Sequence, residues 1–169
     1  MSSSVKNSIE TKNLHIGYQQ KKSVSTIQKN INVQLNKGEF VGILGKNGIG
    51  KSTLLRTLTG VQDAITGEVF IQGKNIQSYS HKELSGLISL VLTERLPESQ
   101  LTVYELVALG RQPYTNWIGR LEKKDIEKIN WALDQTETMS LANRHFNELS
   151  DGQLQRVLIA RALAQDTQM

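Results

Sequence analysis

The chain has 169 residues, 20 lysines and arginines against 16 aspartates and glutamates, and no cysteine. That length allows one domain of ordinary size, and the absence of thiols excludes disulfide frameworks, thiol catalysis and Cys-ligated zinc or iron–sulfur sites. The net charge of +4 is spread along the chain, with Lys21-Lys22 and Lys123-Lys124 only as pairs, and aromatics at 5 % offer no stacking platform for single-stranded nucleic acid. His15, His81 and His145 lack ligand-like spacing and read as surface residues. No apolar run approaches the roughly 20 residues of a membrane helix, and the polar start Met1-Ser2-Ser3-Ser4 lacks the apolar core of a signal peptide. The expectation is a cytosolic protein, or one held at a membrane by partners.

Taken in chain order, Ile9 to Ile16 and Val24 to Leu35 alternate as strands do. Glycine then becomes dense, with six of the 13 (Gly38, Gly42, Gly45, Gly48, Gly50, Gly60) between positions 38 and 60. Gly38 to Leu44 reads as a short buried strand, Gly45 to Thr53 as a glycine-rich loop, and Leu54 to Gly60 as a helix closed by glycine. The loop Gly45-Lys46-Asn47-Gly48-Ile49-Gly50-Lys51-Ser52 fits the phosphate-binding pattern G-x-x-x-x-G-K-[ST]. Gly45, Gly48 and Gly50 permit backbone angles that turn N–H groups inward as an anion nest. Lys51 supplies a point charge for the β and γ phosphates, Ser52 a hydroxyl for Mg²⁺ and Thr53 further phosphate contacts, at the positive end of a helix. A glycine-rich turn in an ordinary βα unit would explain the glycines but not Lys51-Ser52 in register.

Gly67 to Ile71 is a further short strand, and Ser80-His81-Lys82-Glu83 and Thr102-Val103-Tyr104-Glu105 are capping boxes that open helices. Between them Leu87 to Leu92 reads as a buried strand leading to Thr93-Glu94. Helical patterns dominate from Thr102 to Ala142, interrupted around Pro113 to Gly119. After position 120 the sole glycine is Gly152, in Leu149-Ser150-Asp151-Gly152-Gln153, where Ser150 reads as an N-cap and Asp151 as a first-turn acid.

Together, Gly45 to Thr53 followed by Leu149 to Gln153 resembles the nucleotide-binding subunit of ABC transporters, with Leu149 to Gln153 at the family's signature sequence. The resemblance implies an α/β P-loop NTPase (RecA-like) core with an N-terminal antiparallel β subdomain and a helical subdomain, incomplete at the C-terminus. Residues 1–93 would be the β subdomain and phosphate-loop core, 94–150 the Q-loop and helical subdomain, and 150–169 the signature helix. It further implies Mg²⁺-dependent ATP hydrolysis, with Tyr18 stacked on adenine, Gly45 to Thr53 on the phosphates and Lys51 neutralising charge in the transfer. Ser150, Asp151, Gly152 and Gln153 would face ATP held by a second nucleotide-binding subunit in a head-to-tail dimer. Two transmembrane permease subunits and, indirectly, a substrate-binding protein are the implied partners, at the cytoplasmic face of the cell membrane; no nucleic acid is expected. Leu101-Thr102-Val103-Tyr104-Glu105-Leu106-Val107-Ala108-Leu109-Gly110-Arg111-Gln112-Pro113-Tyr114 resembles importers of iron siderophores, haem and cobalamin. The alternatives are a soluble ABC protein acting on ribosomes or nucleic acid, and a naturally short, non-hydrolysing nucleotide-binding protein.

Three departures from the family pattern bear on function. Gln165 to Met169 stands where the family begins an apolar strand ending in Asp-Glu, so neither those carboxylates nor the later switch histidine falls within the 169 residues. The expectation is a fragment in which Phe40 to Leu44 is an uncovered apolar edge and which binds ATP weakly or not at all, without turnover. Glu94 occupies the position of the Q-loop glutamine, where its carboxylate could ligate Mg²⁺ but lacks the amide donor. Asp151 replaces the first signature glycine and should point away from the partner's γ-phosphate. Asp151→Gly in the full-length protein is therefore expected to leave ATPase activity unchanged or raise it; a large loss in a steady-state assay would show a positive role for the acid.

Overall fold

Alternating residues from Asn7 to Gln20 form one long strand, β1, on which the N-terminal half of the chain is assembled. The computed structural model describes residues 7–20, 23–92, 96–97, 99–116 and 118–169, so Met1-Ser2-Ser3-Ser4, Lys21-Lys22 and Thr93-Glu94 lie outside the described residues. The chain divides into two units, one ending at Leu84 and the other beginning at Ser85.

In the first unit β1 pairs antiparallel with β2 (Ser23–Ile31), β3 (Gln34–Asn36) and β4 (Thr66–Ile71), and β5 (Lys74–Asn75) extends β4. Leu14, Ile16, Val69 and Ile71 make the buried side of this sheet, and Leu58 of helix α1 (Lys51–Leu58) is buried as well. The continuous strand expected from Val24 to Leu35 is two strands, broken at Asn32 and Val33. Asn30 adopts a left-handed φ of 55° there. The buried Thr11 hydroxyl spans the break, donating to the Ile31 carbonyl at 3.0 Å and accepting from the Val33 N–H at 3.0 Å. The backbone groups released by the break thus keep partners, without which burial would be costly.

Helix α2 (His81–Leu87) opens as its sequence predicts, with Glu83 accepting from the Ser80 N–H at 2.7 Å and Ser80 Oγ accepting from the Glu83 N–H at 3.2 Å. Two expected strands do not form. Phe40 to Leu44 carries no ladder among the described residues, and Phe40 and Leu44 are fully exposed. A strand exists only through a neighbour's backbone, and no described segment runs beside this one. Likewise Leu87 ends α2, and 88–92 are irregular although Ile88 is buried. Among the described residues they make one rung, with Met169: its N–H donates to the Leu87 carbonyl at 3.1 Å and Ser89 N–H donates to the Met169 carbonyl at 2.9 Å. That is the bond pattern of a parallel pair, one rung long.

The second unit is helical. Thr102 and Glu105 form the expected reciprocal cap on α3 (Val103–Ala108), a 3-10 segment runs from Leu109 to Tyr114, and α4 (Lys123–Gln135) and α5 (Asp151–Gln165) follow. Of the interruption expected from Pro113 to Gly119, Pro113 and Tyr114 belong to the 3-10 segment, and no helix is described from there to Lys123, where α4 begins. Val103, Leu106 and Val107 meet Ile129 and Leu133 of α4 and Val157 of α5 in a single apolar core. The 3-10 segment lies hard against α5, for a Cβ on Gly110 would stand 2.4 Å from the Arg161 carbonyl oxygen.

One charged pair crosses this core. Arg111 is 5 % and Asp125 1 % exposed; the guanidinium Nε donates to Asp125 Oδ1 at 2.9 Å and a terminal nitrogen donates to the Ala164 carbonyl at 2.8 Å. The other carboxylate oxygen accepts from the Glu122 N–H at 2.9 Å, capping α4. Burial alone would push the Asp125 carboxyl up, but the Glu122 N–H and the Arg111 guanidinium outweigh it and hold the group below the usual aspartate range. A carboxyl depressed on folding stabilises above its unfolded pKa, so this contribution is present at neutral pH and lost as the pH falls through the folded value. Asp125→Ala should cost about 3–5 kcal/mol by stranding a buried guanidinium, while Arg111→Met with Asp125→Leu should cost less. Urea unfolding followed by tryptophan fluorescence at pH 7 and at about pH 2–3, below the ordinary aspartate range, checks both the order and the pH dependence.

Candidate functional site

The phosphate-binding pattern occupies the turn that feeds α1, and its glycines are used as their chemistry predicts. Gly45, Gly48 and Gly50 have φ of 158°, 81° and 106°, the last two well inside the region that side chains disfavour. Gly50 is the N-cap of α1, so the first-turn N–H groups of Lys51, Ser52 and Thr53 have no carbonyl a turn earlier within the helix. Lys51 folds back on its own loop, its Nζ donating to the Gly45 carbonyl at 2.8 Å and the Lys46 carbonyl at 2.9 Å. Lys46, Asn47, Gly48 and Ile49 are exposed, and a Cβ on Gly48 would meet nothing within 4 Å. The Ser52 side chain is exposed at the same end of α1. This is a short nest of backbone donors with one cation beside it, the arrangement that suits a phosphate chain.

Tyr18, near the end of β1, is 48 % exposed and its hydroxyl lies 3.4 Å from Thr53 Oγ1, so the sheet brings this ring to the phosphate loop. Beside it Gln62 donates to the Gly17 carbonyl, and a cleft of about 470 Å³ opens between Tyr18 and the segment Gln62 to Ile65. Three residues with no motif to announce them complete the loop's surroundings. Gln28 Nε2 donates to the Ile49 carbonyl at 3.2 Å, and Ile27 and Ile16 pack where a Gly50 side chain would otherwise stand. No local signal marks them, because their role is made by a strand pairing.

In the second unit Ser150 caps α5 as expected: its Oγ accepts from the Gln153 N–H at 3.4 Å, and Gln153 Oε1 accepts from the Ser150 N–H at 3.0 Å. Asp151 and Gly152 are exposed, and a Cβ on Gly152 would meet nothing within 4 Å. Glu94 lies outside the described residues. Of the histidines taken as surface residues only His81 is exposed; His15 and His145 are half-buried, His15 beside Asn30 Oδ1 at 3.0 Å and His145 beside the Gln100 carbonyl at 2.9 Å.

A glycine-rich loop between an antiparallel sheet and α1, joined to a helical unit whose last helix carries a capped Ser-Asp-Gly-Gln start, defines a P-loop nucleotide-binding protein. Comparison with known proteins makes this more specific. Residues 28–169 match the family model described as ABC transporter. The iron(3+)-hydroxamate import ATP-binding protein FhuC of Bacillus subtilis is 38 % identical over 163 residues, covering 96 % of this chain and 59 % of that protein. The ferric enterobactin transport ATP-binding protein FepC of Escherichia coli is 40 % identical over 142 residues, covering 84 % and 52 %. Among solved structures, a dimeric bacterial ABC transporter cassette superposes with a TM-score of 0.79 at 31 % identity, covering 94 % of this chain and 70 % of that one. The chain belongs to the ABC transporter family and has the ATP-binding cassette fold. It spans about half the length of the curated relatives it matches, between 52 % and 60 % for those first found.

Gly50→Ala sets a left-handed φ against a Cβ and drives a methyl to 2.8 Å from Ile27 Cγ2. It should destabilise the first unit by about 1–3 kcal/mol. Gly48→Ala, with open space around it, should cost only the strain of its φ; circular dichroism melts of the two variants separate the effects.

Proposed function

We propose that this chain is the nucleotide-gripping part of a transporter ATPase, and that its phosphate loop takes ATP with Mg²⁺ in the whole protein. The observation that carries the reading is the loop Gly45 to Thr53: first-turn backbone donors of α1 with no intrahelical partner, with Lys51 Nζ held only 2.8 Å and 2.9 Å from the loop's own carbonyls. In this reading the ammonium exchanges those carbonyls for β and γ phosphate oxygens, Ser52 offers its hydroxyl to Mg²⁺, and the exposed Tyr18 ring receives adenine. The bound metal would supply charge neutralisation on the phosphates.

The N-terminus of α5 fits a second role. Glycine is a poorer helix former than alanine, yet it stands at the second position of a 15-residue helix, and among the described residues nothing fills the space its side chain would take. That favours a close approach from outside, consistent with Ser150, Gly152 and Gln153 meeting the γ-phosphate on a second nucleotide-binding subunit in a head-to-tail dimer. Asp151 stands beside them as an exposed acid directed to solvent. Hydrolysis and transport are proposed for the whole protein in that dimer, with two permease subunits and, indirectly, a substrate-binding protein, at the cytoplasmic face of the membrane. Among the described residues no helix is long and apolar enough to cross a membrane. The names of the relatives favour iron chelates, of the hydroxamate and enterobactin kind, over haem or cobalamin as the cargo.

Lys51→Ala should weaken ATP binding at least about tenfold, leaving adenosine binding and the circular dichroism spectrum unchanged, because it removes one charge-assisted contact to phosphate. Equal ATP affinity of the two proteins by titration calorimetry would sink the phosphate-loop reading.

A further inference from the structure

The register of β1 against β2 contains a fault beside the phosphate loop. Ile16 pairs with Gln28 but Gly17 pairs with Thr26, so Ile27 is an extra residue on β2 with no partner opposite. A bulge of this kind turns two consecutive side chains toward one side instead of alternating them. Both do reach the loop: from the point where a Gly50 Cβ would lie, Ile27 Cγ2 is 2.8 Å and Gln28 Cγ 3.7 Å away. The fault depends on Gly17, whose own Cβ would stand 2.0 Å from the Ser25 carbonyl oxygen.

The second observation is the bond that results. Gln28 Nε2 donates to the Ile49 carbonyl at 3.2 Å. A carbonyl can only accept, so the amide nitrogen must face it. The Ile49–Gly50 peptide is trans, which directs its N–H opposite to its C=O. With the carbonyl fastened to β2, the Gly50 N–H is turned away from the sheet, and it has no protein partner among the described residues. Glycine takes φ of either sign with similar ease, so the left-handed φ of 106° at Gly50 is not set by its residue type, and the bond to Gln28 restrains it. The leg of the loop before Gly45 gives no help, being irregular and exposed from Val41 to Leu44.

We propose that Gln28 is a positioning residue for the phosphate loop: delivered by the bulge at Ile27, it fixes the Ile49–Gly50 peptide so that the Gly50 N–H is presented to a phosphate oxygen. The proposal rests on the nucleotide-binding reading for its ligand, but not for the orientation of the peptide. Gln28 donates to the loop without touching nucleotide, and the sheet rather than the loop sequence decides which way the donor points.

The test uses Gln28→Met, which keeps length and volume without a donor, and Gln28→Lys, which restores one. Nitrogen-15 relaxation dispersion on the nucleotide-free chain reads the peptide directly. Gln28→Met should introduce microsecond-to-millisecond exchange at the Gly50 amide that the parent and Gln28→Lys lack. ATP affinity should fall about tenfold in Gln28→Met and recover in Gln28→Lys at about 1 M salt, where the added charge is screened. The urea midpoint should stay that of the parent. A Gly50 amide unchanged in Gln28→Met overturns the proposal, as does an affinity loss that tracks a lowered urea midpoint, which would make Gln28 merely structural. If the whole protein binds no ATP, the nucleotide reading fails by itself, and the amide measurement on this chain still decides whether Gln28 holds the peptide.

Discussion

The first unit is organised by a contact that a single methyl group would forbid. Gly50 sits at the junction of loop and helix in a left-handed conformation, with Ile27 and Ile16 occupying the space of its absent side chain. Because the sheet can close to this distance, α1 begins where it does, Lys51 is the first residue of the helix, and the Ile49 carbonyl is within reach of Gln28. Gly17 makes the reciprocal allowance on β1, where the neighbouring strand's carbonyl leaves no room for a Cβ. Two glycines far apart in sequence thus serve one close approach, and the direction of the loop's donors follows from it.

The helical unit uses the same device once and then departs from it. Gly110 lets the 3-10 segment settle on the backbone of α5, and the Arg111–Asp125 pair, buried beside it, ties that segment to α4 and to the Ala164 carbonyl. A buried ion pair is seldom worth more than an apolar substitute, but its geometry admits few alternatives, so it fixes how the helices meet. Gly152 has no such internal reason. Among the described residues nothing lies near it at the start of α5, so the choice of glycine there is not explained by packing within the unit.

Features built from neighbours in sequence were legible in advance. The caps at Ser80, Thr102 and Ser150 close through a residue three positions on, so their chemistry is local, and the phosphate loop is a contiguous run whose glycines, lysine and serine each have a stated task. What resisted reading depends on partners far along the chain. Phe40 to Leu44 and Leu87 to Leu92 have the composition of strands, but composition supplies no ladder: the first finds no neighbour among the described residues and the second a single rung at Met169. The break after Ile31 was equally hidden, because the group that makes it tolerable is the hydroxyl of Thr11 on another strand.

By itself, then, the order of residues determined a glycine-rich loop ahead of a helix, a capped start to α5 and strands in the N-terminal unit, since each rests on short-range sterics, capping or alternation; that the strands pair antiparallel was implied only by the family resemblance. Only the tertiary structure decided the register of β1 on β2, the bulge at Ile27 and the reach of Gln28 to Ile49. A one-residue shift in pairing leaves every local preference satisfied while reversing which side chains face the loop, and that choice is made by packing across strands.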